Sequence, residues 1–122
     1  MKPRVTFWEI NAQDGPALTG FYRNVFGWEA REEGSIPIYN LDSGGDGAID
    51  GAIFTGRGRL PTHRCLYVAV EDVDATCELV KREGRPILQG PFDIQERVRL
   101  AFFEDPEGHM IGLTGPPRGG EE

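Results

Sequence analysis

Cysteine, cationic side chains and long apolar runs are all scarce in this chain, and each scarcity removes a class of function. Only Cys65 and Cys77 occur, with no CxxC pair, so two reduced, packed thiols are expected instead of a disulfide framework. No apolar run approaches the length needed to cross a bilayer, and Met1-Lys2-Pro3-Arg4 leads straight into a strand rather than into a signal-peptide apolar segment. A cytoplasmic protein that does not engage membranes is therefore expected. The 13 Lys and Arg are outnumbered by 20 Asp and Glu, for a formal net charge of −7. Such a field repels phosphate backbones and favours cationic or neutral ligands, which argues against nucleic acid as a partner. Gly44-Gly45-Asp46-Gly47 is glycine-rich, yet no Lys-Ser/Thr follows it, so it is not read as a phosphate loop. No nucleophile arrangement or dinucleotide fingerprint is present either.

What is present is a repeat. Val5–Asp14 runs as an alternating strand into Leu18–Trp28, and Leu66–Asp74 runs as a second strand into Ala75–Gly84. A strand-to-helix unit that recurs after about sixty residues marks two copies of one small module. The 122 residues suffice for one domain with a core and not for two independent domains.

In the first copy, Thr6, Trp8 and Ile10 share one strand face, and Val5, Phe7 and Glu9 share the other. Asp14 caps a helix beginning near Pro16, and Leu18, Phe21, Tyr22, Val25 and Phe26 have the spacing of a buried stripe. Gly27 ends that helix. A second strand is predicted to begin at Trp28–Ala30, with further strands at Ile36–Leu41 and Ala48–Phe54 and turns at 33–34 and 42–47. In the second copy, a strand at His63–Val70 precedes a helix capped by Asp72 or Asp74 and stopped by Gly84. Short strands follow at Pro86–Leu88, Val98–Glu104 and His109–Thr114, with turns at Gln89–Phe92 and Asp105–Gly108. The expected organisation is a single domain, 1–122: module one 1–56, linker 57–62, module two 63–116 and a disordered tail, 117–122.

Phe21-Tyr22 with Phe26-Gly27-Trp28, then Val70-Glu71-Asp72-Val73-Asp74-Ala75, then Ala101-Phe102-Phe103-Glu104-Asp105-Pro106-Glu107-Gly108 with Ile111 and Leu113, resemble the glyoxalase, bleomycin-resistance and extradiol-dioxygenase superfamily, the vicinal oxygen chelate proteins. The resemblance covers nearly the whole chain. It implies an α+β fold of two β-α-β-β-β modules forming a cupped mixed sheet, completed by a second subunit in a homodimer. It does not fix a reaction, because this fold hosts many chemistries. In members that hold a divalent metal, ligands come from the first, fourth, fifth and last strands. Three of those positions fall here on Phe7, Leu66 and Gly112, which offer no lone pair to a metal. No metal and no cofactor are therefore expected, with Glu9 and Asp50 as the alternative of a noncanonical site.

Glu9 is the candidate catalytic residue, because it shares the strand face that the resemblance assigns to the cup. A carboxylate there would be partly desolvated, as suits a general base or an anchor for a cation; a rim acid paired with arginine or water is the alternative. Phe7, Glu9, Leu66, Val68 and Arg99 are the candidate ligand-binding residues, and Arg97 shares the predicted strand face of Arg99. Cys65 and Tyr67, opposite Leu66 and Val68, are expected to point toward the helix. Trp8, Phe21, Tyr22, Phe26 and Trp28 are assigned to the core, Arg57 and Arg59 to an exposed linker, and His63 and His109 to sheet ends. The expected function is metal-independent binding of a small neutral or cationic organic ligand. Two alternatives stay open: a glyoxalase-type lyase, isomerase or hydrolase using Glu9 as base, and an accessory module that contacts another protein.

Overall fold

A computed structural model describes residues 2–33, 36–55 and 63–118. The chain forms two compact units, one of Phe7–Cys65 and one of Met1–Thr6 with Leu66–Glu122. The predicted linker at 57–62, with Arg57 and Arg59, lies outside the described residues, as do most of the turn at 33–34 and the end of the tail.

Module one contains β1 (Arg4–Ala12), α1 (Gly15–Phe26), β2 (Glu29–Glu33), β3 (Ile36–Asp42) and β4 (Gly51–Thr55). Its strands lie in the order β2-β3-β4-β1, with β1 parallel to β4 and the other pairs antiparallel. Asp14 accepts the Ala17 N–H at the helix start, and Gly27 ends α1 at φ 73°, where the absence of a Cβ removes the steric cost. β4 begins at Gly51, later than the alternation of 48–54 suggested, because Ser43 through Asp50 form a loop.

The helix stripe also needs correction. Leu18 and Tyr22 pack against the buried cluster of Ala12, Leu41 and Ile53, whereas Phe21, Val25 and Phe26 are each more than half exposed. The buried residues of α1 are Gly15 and Thr19. A Cβ at Gly15 would lie 2.1 Å from Thr55 Oγ1, so the contact line is built from small residues that an apolar pattern does not reveal.

Module two contains β5 (His63–Ala69), α2 (Val73–Arg82), β6 (Ile87–Ile94), β7 (Val98–Glu104) and β8 (Met110–Gly115). Its strands lie in the order β5-β8-β7-β6, with β5 parallel to β8. Asp72, and not Asp74, caps α2 by accepting the Ala75 N–H. The predicted turn at Gln89–Phe92 is instead the middle of β6, which passes a cis Gly90–Pro91 bond and a register shift without leaving the sheet. Arg97 falls in the turn before β7 and therefore does not share a strand face with Arg99. The predicted tail is tied down through residue 118, where Arg118 pairs with Asp74 and donates its backbone N–H to Asp93. No helix among the described residues is long and apolar enough to cross a membrane.

Candidate functional site

The alternation of β1 sorts module one into two faces. Trp8, Ile10 and Ala12 pack under α1 with Ala30, Tyr39, Leu41 and Ile53, so Phe7, Glu9 and Asn11 belong to the opposite face. Strand register then sets Arg31 opposite Asn40, Asn40 opposite Ala52 and Ala52 opposite Glu9. One polar row thus crosses all four strands on the helix-free face. Adjacent strands are about 4.8 Å apart, so Glu9 and Asn40 are separated by roughly 10 Å across the small Ala52.

A cleft of about 460 Å³ opens on this side, lined by Phe7, Glu29, Arg31, Asn40, Leu41, Asp42, Asp50 and Gly51. Among the described lining residues three carboxylates face one guanidinium, a formal excess of negative charge. Asp42 Oδ1 accepts the N–H groups of Gly45 at 2.9 Å and Gly44 at 3.2 Å. These bonds, Gly45 first, hold the Asp42 carboxyl below its ordinary value; partial desolvation opposes them and Arg31 reinforces them. Asp50 Oδ1 accepts the Ser43 N–H at 3.2 Å. Both loop acids therefore carry an oxygen fixed by backbone amides, and Phe7 adds an aromatic face on which a cation can rest.

Of the residues expected to bind ligand, Phe7 lines the cleft. Glu9 shares its face but is only 1% exposed and does not line the cleft, so it can act on an occupant through its field rather than by contact. The expected facing of β5 is reversed. Val68 packs against the cluster of Val70, Val73, Cys77, Ala101 and Leu113 beneath α2, and Leu66, in the same phase, is 48% exposed. Cys65 and Tyr67 therefore occupy the face away from α2, both buried. Burial raises the Cys77 thiol above its ordinary value. Arg99 is drawn to the helix layer, bonding Asp74 at 3.2 Å and Asp93 at 2.9 Å with its side chain 17% exposed; its guanidinium is committed to a structural network. His109 lies in an Asp105-centred turn, where Asp105 Oδ1 accepts its backbone N–H.

Sequence reasoning missed Glu29, Arg31, Asn40 and Asp42. The signal was the alternation Glu29-Ala30-Arg31, in which Ala30 alone turns to the core; the strand was expected to begin at Trp28–Ala30, but its two faces were not read.

The family's metal donor set does not fit. Phe7 supplies hydrocarbon, and a Cβ at Gly112 would lie 2.8 Å from the Tyr67 ring, so that ring fills the space a ligand side chain there would need. Reversing β5 replaces Leu66 with Cys65 or Tyr67 on the relevant face, which adds one thiol and no set. Among the described residues, no group of three or more His, Cys, Asp or Glu side chains is placed to hold a metal ion.

Comparison with known proteins accords with this architecture. The family model for the Glyoxalase/Bleomycin resistance protein/Dioxygenase superfamily matches residues 4–113. The protein CFP32 of Mycobacterium tuberculosis, which carries a glyoxylase name, is 28% identical over 118 residues, covering 86% of this chain and 42% of that protein. The anthracycline biosynthesis protein DnrV of Streptomyces peucetius is 26% identical, covering 88% of this chain and 45% of that protein. This chain thus spans under half the length of these curated relatives. Methylmalonyl-CoA epimerase of Streptomyces coelicolor shares the fold at a TM-score of 0.63 and 19% identity, covering 93% of this chain and 96% of that one. A hypothetical protein of Bacillus halodurans does so at 0.68 and 12%, over 100% of both chains. The chain belongs to the Glyoxalase/Bleomycin resistance protein/Dioxygenase superfamily.

Proposed function

We propose that the protein binds a small cationic or neutral organic molecule in the module-one cleft without a metal ion. The observation that carries this reading is the lining itself: Phe7 beside Glu29, Asp42 and Asp50, against one cation among the described residues, Arg31, in a cleft of about 460 Å³. That size lies within the roughly 300–1,000 Å³ of small-molecule sites, and the charge excess selects against anions.

Names among the relatives favour a second reading, a lyase or isomerase with Glu9 as general base. A base must come within about 3 Å of the proton it takes, directly or through one water, and Glu9 lies outside the lining. An acidic cleft is also a poor host for a polyanionic coenzyme A thioester. The test is a fluorescence titration with proflavine, an aromatic cation, prodan, an uncharged dye, and fluorescein, an anion. Saturable binding should be tightest for proflavine and weakest for fluorescein, and elemental analysis should find no stoichiometric metal. Tighter fluorescein binding, about one metal per chain, or turnover of methylmalonyl-CoA would each overturn the proposal.

A further inference from the structure

On the reading of the cleft as a cation site, we infer that Trp8 is a positioning residue for Asp50, acting from the opposite face of the sheet. Asp50 lies between Ile49 and Gly51, and Trp8 holds both neighbours. Its indole N–H donates to the Ile49 carbonyl at 2.7 Å, and its ring covers Gly51, where an added Cβ would stand 2.1 Å from Trp8 Cδ2. The ring is itself held from behind by Trp28, with centroids 5.7 Å apart. The Ser43 hydroxyl donates to the same Ile49 carbonyl, and the Ser43 N–H donates to Asp50 Oδ1. Two side chains therefore converge on one carbonyl, and the loop from Asp42 to Asp50 closes around it. Because Asp42 and Asp50, two of the three carboxylates among the described lining residues, stand at the two ends of this loop, Trp8 determines where the negative charge stands, although the indole packs beneath α1.

The test uses proflavine and prodan with the intact chain. Asp50→Asn should weaken proflavine binding about fivefold, the upper range for a partly exposed ion pair, and leave prodan within twofold. Trp8→Phe keeps an aromatic ring over Gly51 and removes the donor; it should weaken proflavine about threefold, as expected for one lost hydrogen bond, again sparing prodan. Since Trp8 acts through Asp50, adding Trp8→Phe to Asp50→Asn should change proflavine affinity by less than about twofold further. Ser43→Ala provides the same readout from the other donor, and Ser43→Thr, which keeps the hydroxyl, should restore affinity. If Asp50→Asn weakens proflavine but Trp8→Phe and Ser43→Ala do not, or if the double variant is additive, the positioning role is wrong while the cleft stands. If Asp50→Asn itself changes nothing, the cleft reading falls and the role of Trp8 with it.

Discussion

The two modules share an element order, a strand order and an Asp-capped helix, yet they use their helix-free faces in opposite ways. In module two that face is filled by aromatic packing: Phe102 is fully buried, Tyr67 meets it edge-on at 5.7 Å, and the Tyr67 ring lies over Gly112. In module one the matching face carries Glu9, Asn40 and Arg31 in one row, beside an open cleft. Duplication supplies two equivalent surfaces, and one can be given to stability while the other keeps polar side chains that contribute little to it. The two faces should accordingly respond to mutation in different observables.

The largest effect is expected in module two. Phe102→Ala should lower unfolding free energy by roughly 3–5 kcal/mol, the range for losing a buried aromatic ring, as read by denaturant titration. Gly112→Val should cost roughly 1–3 kcal/mol, because the new side chain must displace the Tyr67 ring. Losses under about 1 kcal/mol for both would break the contrast. Module one should show the reverse pattern. Glu9→Gln should leave the fold intact and weaken proflavine severalfold, because a buried carboxylate on the face of the cleft acts on a cation through its field without touching it. Prodan binding should not change; an equal loss for both dyes would mean that Glu9 shapes the cleft rather than charging it.

Much of this contrast was hidden in the sequence, for identifiable reasons. The Asp14 cap, an acidic cap at Asp72 or Asp74, the Gly27 stop and the extent of β7 were legible, because side-chain chemistry at a cap or turn is local. The facing of β5 was not. Leu66-Tyr67-Val68 is apolar on both faces, so alternation gives no phase, and only packing against Val73 and Cys77 decides it. The buried line of α1 escaped because Gly15 and Thr19 are small. The polar row escaped because Arg31, Asn40 and Glu9 are distant in sequence and meet only through register, which single strands do not encode.

The smallest effect is also the sharpest comparison, because the modules carry the same acid device in different settings. Asp42 accepts two loop amides beside the cleft; Asp105 accepts the amides of Glu107 and His109 in the β7–β8 turn. Both carboxyls are held below the ordinary value of 3.8, Asp42 chiefly by the Gly45 N–H and Asp105 chiefly by the His109 N–H. A carboxyl whose folded pKa is depressed adds stability at pH above its unfolded pKa and loses that contribution as pH falls through the folded pKa. Both turns should therefore hold from neutral pH down to the ordinary Asp range and loosen only below it, as carboxyl-carbon NMR titration of each residue would report. Ligand binding separates them. Asp42→Asn keeps the acceptor oxygen for the loop amides and removes the charge, so the loop should survive while proflavine affinity falls severalfold, with prodan unaffected. Asp105→Asn removes the same charge from an equivalent turn that does not line the cleft, and proflavine affinity should stay within about twofold, because a surface charge that makes no contact with the ligand contributes little. If Asp105→Asn weakened proflavine as much as Asp42→Asn does, the cleft would be responding to net charge alone, and the division of labour between the modules would have to be abandoned.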